Sequence, residues 1–304
     1  MIQQRTPEWF DARRGKPTSS QMWRIMAGSE SWNVYADRDG EGEVVSNHTS
    51  EEAAHKKAIA LAKKDGSYSY SVGKRFNPSA ERQAYMTELL AERLTGSVEE
   101  RYTTAAMQRG VDMEPIALMA YEAVTGNVTK PGHWFDYGSW GCTPDAFVVG
   151  GGIVEVKCPM TKTIVRQRCF EPEIPPEYYW QMVAQMAATG AEWCDLVYYD
   201  DRFARLEHQM WIRRAQYSAD DWSALSEQLA IFCAELDALT REYGADKQAD
   251  PQEPSDPLAI PAFLDKRNSA SGDQATGADG GEPDGLSPQP GPPPTDAEVG
   301  ACTP

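Results

Sequence analysis

Hydrophobic and polar positions follow two different periods along the first 244 residues of the chain. In six segments apolar residues recur every three or four positions, which predicts helices that each bury one face. The six segments are residues 19–28, 51–64, 79–95, 104–124, 177–189 and 218–242.

Five other segments are short runs rich in Val, Ile, Trp, Tyr and Phe, bounded by turns that contain Gly or Asp, and they predict strands. These segments are residues 127–136, 143–149, 153–158, 193–200 and 206–213. Helices occur before, between and after the strands, which indicates an α/β fold with a mixed sheet flanked by helices. We interpret the polar stretch near residues 37–50 as an excursion from this single domain.

The periodic pattern ends after Gly244, and residues 245–304 have a different composition. They contain 11 of the 21 prolines, and 11 acidic residues against 3 basic ones. Such a segment cannot bury enough apolar surface to fold, so we predict a disordered C-terminal tail after a folded domain of residues 1–244. The tail contains one apolar island, PLAIPAFLDKR, which is either a peptide that docks on a partner or an incidental cluster.

The whole chain has a formal net charge of −17, and the tail accounts for −8 of it. This acidic balance argues against a protein that holds nucleic acid on a generally basic surface, and any DNA-binding interpretation has to explain it. The six cysteines form no CxxC pair and indicate neither zinc nor disulfides. Without a long apolar run or the apolar stretch of a secretory signal, we expect a cytosolic protein with no membrane partner.

The segment CTPDAFVVGGGIVEVKCP contains two apolar runs separated by three glycines, which predicts a tight hairpin. With the loop centred on Gly151, Asp145 pairs with Lys157, and Phe147 pairs with Glu155. All four side chains then share one face, and the two carboxylates are diagonal neighbours. A bulge in the glycine loop would shift this register by one residue.

Two carboxylates and a lysine on an otherwise apolar hairpin are costly to desolvate without partners. A hard divalent cation such as Mg²⁺ would pair the carboxylates, polarise a phosphodiester and lower the pKa of a bound water. The lysine would orient the nucleophile or stabilise negative charge. The alternative, on spacing alone, is a hairpin edge that carries structural salt bridges.

Polar residues at two other places have a regular arrangement. Tyr178, Gln181 and Gln185 recur at i, i+3 and i+7 and form one stripe on a predicted helix. Glu114 precedes Pro115 within a helical pattern, and we expect the proline to kink or restart the helix so that Glu114 points at the hairpin. The alternatives are a mixed helix face and a solvated glutamate.

Near the N-terminus, Arg13, Arg14 and Lys16 precede the segment Pro17-Thr18-Ser19-Ser20, where we expect a helix to start. Free amides and hydroxyls at a helix start, next to arginines, form an anion site. The alternative is an ordinary helix cap with a solvated basic run.

The sequence resembles the PD-(D/E)xK nucleases and, within them, the lambda-exonuclease and YqaJ-type viral recombinase family. The resemblance spans nearly all of residues 5–242, because five blocks occur in the order of that family. The blocks are PEWFDARRGKPTSS, the helix with Gly110 and Glu114, GCTPDAF, EVKCP and PEYYWQMVAQM.

The resemblance implies a restriction-endonuclease-like core and a cofactor, Mg²⁺, for which Mn²⁺ could substitute. It assigns the metal ligands to Glu114, Asp145, Glu155 and the carbonyl of Val156, and it makes Lys157 the catalytic lysine.

The resemblance also implies roles outside the hairpin. The residues that line the active site from the helix are Tyr178, Gln181 and Gln185. Arg13 and Ser20 are implied to receive the terminal 5′-phosphate of DNA. A glutamine common in the family is replaced here by Val183, which puts any role of that glutamine in doubt.

The implied function is a metal-dependent 5′-to-3′ exonuclease on linear double-stranded DNA, which makes single-stranded 3′ tails for phage-type recombination. The implied partners are DNA ends, a single-strand annealing protein and further copies of the chain in a ring-shaped trimer, in the cytoplasm of a phage-infected or bacterial host. Basic residues that would line an inward-facing DNA channel are Arg13, Arg14, Lys16, Lys74, Arg75, Lys162, Arg166 and Arg168.

Two alternatives remain from the sequence. One is another nuclease of the same fold, either an endonuclease or an end-trimming repair nuclease. The other is a non-catalytic adaptor that binds DNA ends, for which the loss of an acidic residue or of the lysine would be expected. Glu114, Asp145, Glu155 and Lys157 are all present.

Overall fold

The computed structural model describes residues 2–38, 41–98 and 104–244. The tail predicted to be disordered, residues 245–304, lies outside the described residues. In chain order the helices are α1 (Pro7–Arg13), α2 (Met22–Met26), α3 (Glu51–Lys64), α4 (Ala80–Thr95), α5 (Ala105–Thr125), α6 (Thr161–Cys169), α7 (Pro176–Thr189), α8 (Leu206–Gln209) and α9 (Ala219–Tyr243). A short 3₁₀ helix, Ser19–Gln21, leads directly into α2.

The strands form three sheets. In chain order they are β1 (Gly28–Arg38), β2 (Glu41–His48), β3 (Ser69–Pro78), β4 (Thr129–Pro131), β5 (Phe135–Asp136), β6 (Gly141–Cys142), β7 (Ala146–Val148), β8 (Ile153–Lys157), β9 (Trp193–Tyr199) and β10 (Met210–Gln216). The central sheet has the order β10-β9-β8-β7-β4, β1 lies between β2 and β3 in a second sheet, and β5 pairs with β6.

The central sheet is mixed, as predicted. Strands β8 and β9 are parallel, and the other neighbouring pairs are antiparallel. Val154 and Val156 pack against α5 on one face of the sheet, whereas Ile153 packs against Met182 and Met186 of α7 on the other. Helices on both faces account for the nearly continuous apolar sequence of these strands.

A third layer of helices covers the outer side of α7. Helices α2, α4, α7 and α9 share one buried apolar cluster, and its largest fully buried side chains include Met22, Ile25 and Phe232. In the described ranges, no helix is both long enough and apolar enough to span a bilayer.

Within the polar stretch near residues 37–50 that we interpreted as an excursion, the described residues 37–38 end β1 and residues 41–48 form β2 of the antiparallel sheet β2-β1-β3, so most of the stretch is regular structure. The sheet is stable because one face carries Trp32 and Val34, which pack on Ala54 and Ala58 of α3. The serines and asparagines on its other face hide this alternation in a hydropathy pattern.

The predicted helices are present, with boundaries that differ by a few residues. Two predicted strands are not continuous. Residues 127–136 divide into β4 and β5, because Pro131 cannot donate in a ladder and Gly132 lies against the Pro144 carbonyl, where a Cβ atom would lie 1.7 Å away. Residues 206–213 begin as helix α8 rather than as a strand.

Candidate active site

The glycine hairpin forms, but its register differs from the predicted one. Ala146 pairs with Val154, and Phe147 pairs with Ile153, so the loop is centred on Gly150 rather than Gly151. The predicted pairs of Asp145 with Lys157 and of Phe147 with Glu155 were therefore wrong.

The cause of the shift is the position of Gly152 against Trp193. A Cβ atom at Gly152 would lie 2.3 Å from the indole ring, so this glycine belongs to the packed end of the strand. The turn closes one residue earlier, where the Gly151 amide donates to the Val148 carbonyl at 3.1 Å. The shift is two residues, and side chains alternate with a period of two, so the predicted common face is preserved.

Glu155 points from β8 toward α7 and is only 2% exposed. Its Oε1 accepts from Lys157 Nζ at 2.6 Å and from Gln181 Nε2 at 2.7 Å, and its Oε2 accepts from Gln185 Nε2 at 2.8 Å. The same Gln185 nitrogen lies 3.2 Å from the carbonyl oxygen of Thr143. Three donors therefore hold this buried carboxylate, as burial of a charge requires.

Helix α7 supplies two of these donors, Gln181 and Gln185, because its polar stripe faces the sheet. The ring of Tyr178 lies at the start of the stripe, with Lys157 Nζ 5.0 Å from its centroid. Burial raises the pKa of Tyr178, so the phenol stays neutral beside the lysine. Val183 points away from the sheet into the apolar cluster of the outer helices and is 1% exposed. This position therefore contributes packing and no polar group.

Lys157 is charged at the pH of the cell. Burial opposes its charged form, but the carboxylates of Glu155 and Asp145 outweigh burial and raise its pKa above the usual lysine range. The lysine thus provides a fixed positive charge beside two acidic groups.

Asp145 follows Pro144 at the start of β7, and its Oδ2 accepts from the Val156 amide at 2.8 Å. The N–H and C=O of one strand residue point to the same side, so the Val156 carbonyl also faces Asp145. Burial, with the nearby carboxylates of Glu155 and Glu114, raises the pKa of Asp145 well above its usual range, despite the opposing effects of Lys157 and the Val156 amide. Negative charge is therefore crowded at this point.

Glu114 lies in the middle of α5, which runs through Pro115 without restarting, so the predicted helix start at this point was wrong. Its side chain is 17% exposed, and its Oε2 accepts from Arg5 Nη2 at 2.5 Å. Glu114 contributes to the crowding at Asp145 through its charge, while its hydrogen bond is to Arg5.

The donor set of Glu114, Asp145, Glu155 and the Val156 carbonyl consists only of oxygen atoms, which suits Mg²⁺ and similar hard cations. A divalent cation would also relieve the repulsion that raises the pKa of Asp145. In the described part of the chain, however, no three acidic, histidine or cysteine side chains converge on one point. The oxygens of Glu155 are bonded to α7 and Lys157, and Glu114 is bonded to Arg5, so these carboxylates would have to exchange partners when a cation binds.

Arg13, at the end of α1, occupies a partly buried aromatic setting. Its guanidinium lies 3.9 Å from the ring centroid of Trp9 and 5.9 Å from that of Trp134. Burial lowers the pKa of Arg13 to about 10, and within the described ranges its guanidinium has no hydrogen-bond or ion-pair partner. The indole N–H of Trp134 is buried and also lacks an acceptor there. The guanidinium and the indole N–H could both donate to a bound anion.

The segment after Arg13 is held against α4. Gly15 has a φ of 65°, its amide donates to Glu92 at 2.9 Å, and its carbonyl accepts from Arg93 at 2.7 Å. Ser20 lies in the 3₁₀ helix, with its hydroxyl 3.3 Å from that of Thr18. These contacts fix the backbone that carries both residues predicted to receive the phosphate.

Three residues near the site were not predicted. Thr143 connects the two regions, because its hydroxyl accepts from Trp9 Nε1 at 2.9 Å and its carbonyl contacts Gln185. Thr143 belongs to the GCTPDAF block, which was a usable signal. Arg5 lies in no helical or strand pattern, and Trp134 lies in a predicted strand without any sign of a functional role, so their proximity to Glu114 and Arg13 is a property of the fold.

The predicted channel residues differ in their pairing. Lys16, Lys74 and Arg166 form ion pairs with Asp136, Glu30 and Glu171, at 2.9, 2.6 and 3.3 Å, and Arg14 pairs with Asp11. Of the eight, those without an ion pair to any described residue are Arg13, Arg75, Lys162 and Arg168. Fewer of these eight side chains are therefore available to bind DNA than the sequence alone suggests.

A model of the YqaJ-like viral recombinase domain matches residues 8–192, which is more than half of the chain. Two solved structures of LHK-Exo, an alkaline exonuclease from Laribacter hongkongensis, one of them in complex with dAMP, are also similar. Each is 30% identical in sequence, covers 80% of this chain and 100% of its own, and superposes with a TM-score of 0.58. A search of curated proteins gives no significant match.

The mixed sheet, its flanking helices and the acidic hairpin with its lysine define a nuclease fold of the PD-(D/E)xK class. The chain belongs to the YqaJ-like viral recombinase family, and its structural neighbours are alkaline exonucleases of the lambda-exonuclease family.

Proposed function

We propose that this protein is a metal-dependent exonuclease that degrades linear double-stranded DNA from its 5′ ends and leaves single-stranded 3′ tails for recombination. The observation that carries the proposal is the buried carboxylate of Glu155, held by α7 and by Lys157 on the same face of β8. Burial of an acid and a lysine next to a second acid is expensive, and it is typical of hydrolytic sites.

The cation that we propose would be held by Glu114, Asp145, Glu155 and the Val156 carbonyl. When bound, it would polarise the phosphodiester and lower the pKa of a water nucleophile. Mg²⁺ suits this oxygen donor set, and Mn²⁺ is a chemically similar substitute.

The protein groups have separate tasks in this proposal. Lys157 keeps its proton at Nζ and stabilises the negative charge that develops on the phosphate oxygens. Gln181 and Gln185 orient Glu155, so that its carboxylate does not have to be ordered when DNA binds. Tyr178 covers the lysine and limits the access of water.

The 5′ end would be recognised at Arg13. Among the described residues, neither the Arg13 guanidinium nor the adjacent Trp134 indole N–H has a hydrogen-bond partner, and this pair of donors supports the binding of a terminal phosphate. Contacts run from Arg13 through Trp9 and Thr143 to Gln185, which supports a pocket close to the proposed hydrolytic site. Ser20, on the adjoining 3₁₀ helix, would add a hydroxyl donor.

Family membership supports the remaining parts of the proposal. These are a ring-shaped homotrimer around the duplex, a single-strand annealing protein that receives the 3′ tails, and action in the cytoplasm of a bacterial or phage-infected host. A ring would also explain how an acidic chain binds DNA, because Arg75, Lys162 and Arg168, which form no ion pair with a described residue, would face an enclosed duplex.

The test is the digestion of a linear duplex labelled at either the 5′ or the 3′ end of one strand, with Mg²⁺ or with a chelator. We expect Mg²⁺-dependent release of the 5′ label as mononucleotide before the 3′ label, and no cleavage of covalently closed circles. Glu155→Gln and Lys157→Met should be inactive with unchanged circular dichroism.

Three results would contradict the proposal. Cleavage of closed circles would indicate an endonuclease, early release of the 3′ label would reverse the polarity, and DNA binding without hydrolysis would indicate an adaptor.

A further inference from the structure

Arg5 has an unusual backbone conformation. With a φ of 66°, it is the one non-glycine residue with a positive φ in the described ranges. Both sides of it are anchored, because the Ile2 carbonyl accepts from the Trp134 amide at 3.0 Å, and the Thr6 side chain caps α1 by accepting from the Trp9 amide. The N-terminal segment therefore crosses the edge of the active site at a fixed place.

At this place the Arg5 guanidinium binds a carboxylate of the proposed metal site. Its Nη2 lies 2.5 Å from Oε2 of Glu114, and the two side chains are 40% and 17% exposed. A left-handed arginine is energetically unfavourable, and the anchors on both sides hold it there. The contact is thus built into the way the N-terminus is attached.

The charges of the site make this contact significant. In the ionised form that a bound cation requires, Glu114, Asp145 and Glu155 contribute three negative charges, and Lys157 and Arg5 contribute two positive ones. The cluster therefore has a net charge of about −1 with Arg5 in place and about −2 without it, and only the second value balances a divalent cation.

We propose that Arg5 is a positioning residue that competes with the divalent cation for Glu114. It neutralises and orients this carboxylate in the cation-free protein and releases it when the cation binds. The inference rests on the proposed metal-dependent function and adds that the affinity of the site for the cation is set partly by the N-terminal segment.

Two physical effects make the two partners exclusive. The Arg5 hydrogen bond occupies Oε2 of Glu114, which a bound cation would draw on, and a guanidinium beside a divalent cation adds repulsion between like charges. Arg5 is partly exposed, so it has solvent in which to move when it is displaced.

The test measures cation binding without DNA, so that it does not depend on catalysis. MnCl₂ is titrated into the full-length protein by isothermal titration calorimetry for the wild type, Arg5→Gln, Arg5→Lys and Arg205→Gln. The last is a control for lost charge, because Arg205 is 74% exposed and its only ion pair among the described residues is with Glu207, at 3.8 Å.

We expect Arg5→Gln to bind Mn²⁺ about three to ten times more tightly than the wild type, which corresponds to the removal of one nearby charge. Arg5→Lys keeps the charge and should bind Mn²⁺ with an affinity within about twofold of that of the wild type, as should Arg205→Gln. In a Glu114→Gln background, Arg5→Gln should change the affinity no more than Arg205→Gln does.

A purely structural role for Arg5 would lower the melting temperature of Arg5→Gln without changing its Mn²⁺ affinity, and that result would overturn the inference. Weaker Mn²⁺ binding by Arg5→Gln would overturn it as well, because it would mean that Arg5 assists the cation. If the wild type binds no Mn²⁺, the proposed metal-dependent function fails and the inference fails with it. If the wild type binds Mn²⁺ and Arg5→Gln binds it with the same affinity, only the inference about Arg5 fails.

Discussion

The side-chain amide nitrogen of Gln185 lies 2.8 Å from Oε2 of Glu155, in a region where both residues are almost fully buried. Because the same nitrogen also contacts the Thr143 carbonyl, the glutamine cannot rotate freely. The direction in which Glu155 points is therefore determined by α7 before DNA binds.

The first prediction concerns this glutamine. Gln185→Met has a similar shape but leaves Oε2 of Glu155 without a donor, so the carboxylate should turn away from its working position. We expect the rate of duplex hydrolysis to fall about 10- to 100-fold, the usual cost of losing a group that orients a metal ligand. Initial rates at saturating DNA measure this effect.

Gln167→Met is the matched control, because Gln167, on α6, is also a buried glutamine. Its amide nitrogen donates to Glu171 at 3.0 Å. This variant should lose some stability and keep the hydrolysis rate within about twofold. Equal rate losses in both variants would mean that Gln185 acts through general stability.

The second prediction concerns Asp145 and pH. Burial, together with the carboxylates of Glu155 and Glu114, raises the pKa of Asp145 in the cation-free protein. When the pKa of a group is higher in the folded than in the unfolded state, protonation of that group stabilises the fold. This contribution to the free energy of unfolding is complete below the unfolded pKa, about 3.9, and is lost as the pH rises through the folded pKa. Ionised Asp145 therefore destabilises the cation-free fold.

Asp145→Asn removes this ionisation and keeps an acceptor oxygen for the Val156 amide. In the presence of a chelator, we expect its melting temperature to exceed that of the wild type at about pH 8 and to match it near pH 4. DNA hydrolysis should be lost at both values.

Asp195→Asn is the comparison, since Asp195 is a buried carboxylate that accepts two bonds from Arg214, at 2.7 and 2.8 Å. It should lower the melting temperature, because it leaves the arginine without its charged partner. If Asp145→Asn also lowers the melting temperature at about pH 8, repulsion between carboxylates is not the dominant effect at Asp145.

The parts of the site that the sequence predicts are those that depend on local periodicity. Tyr178, Gln181 and Gln185 share a face because a helix repeats every 3.6 residues. Glu155 and Lys157 share a face because side chains alternate along a strand, and Asp145 stays on their face because the register shift is two residues. The α/β class with a mixed sheet followed from the same periods, whereas the nuclease core followed from the resemblance to a family.

The parts that the sequence does not predict depend on contacts between distant segments. Three consecutive glycines do not show which of them is the centre of the turn, and here the packing of Gly152 on Trp193 determines it. Arg5 and Glu114 are 109 residues apart, and their contact follows from the path of the N-terminus past Trp134. Neither contact can be predicted from the hydropathy pattern or from the spacing of residues.

The third prediction concerns residues 245–304, which lie outside the described residues. The described fold ends with α9 at Tyr243, and Gly244 follows as its cap. A chain cut after Gly244 should be soluble and should hydrolyse naked linear DNA within about twofold of the full-length rate, because α9 already packs on the apolar cluster of the outer helices through described residues that all precede the cut. Recruitment of a single-strand annealing protein should weaken. An insoluble or inactive truncated chain would show that the domain boundary is wrong.

The last prediction concerns Arg13 and the phosphate at the 5′ end. The wild type should degrade duplexes with a 5′-phosphate faster than duplexes with a 5′-hydroxyl, because the unpaired guanidinium forms a charge-assisted bond only with the phosphate. Arg13→Ala should lose most of this preference, about 1.5 to 3 kcal/mol or roughly ten- to a hundredfold in the rate ratio, while the hydrolytic site still cuts. Arg14→Ala is the adjacent control: Arg14 pairs with Asp11, and its loss should leave the ratio of phosphate to hydroxyl rates unchanged even if the overall rate changes. A wild-type ratio near one would argue against the pocket itself, whereas an unchanged ratio in Arg13→Ala would place the recognition of the phosphate on other residues.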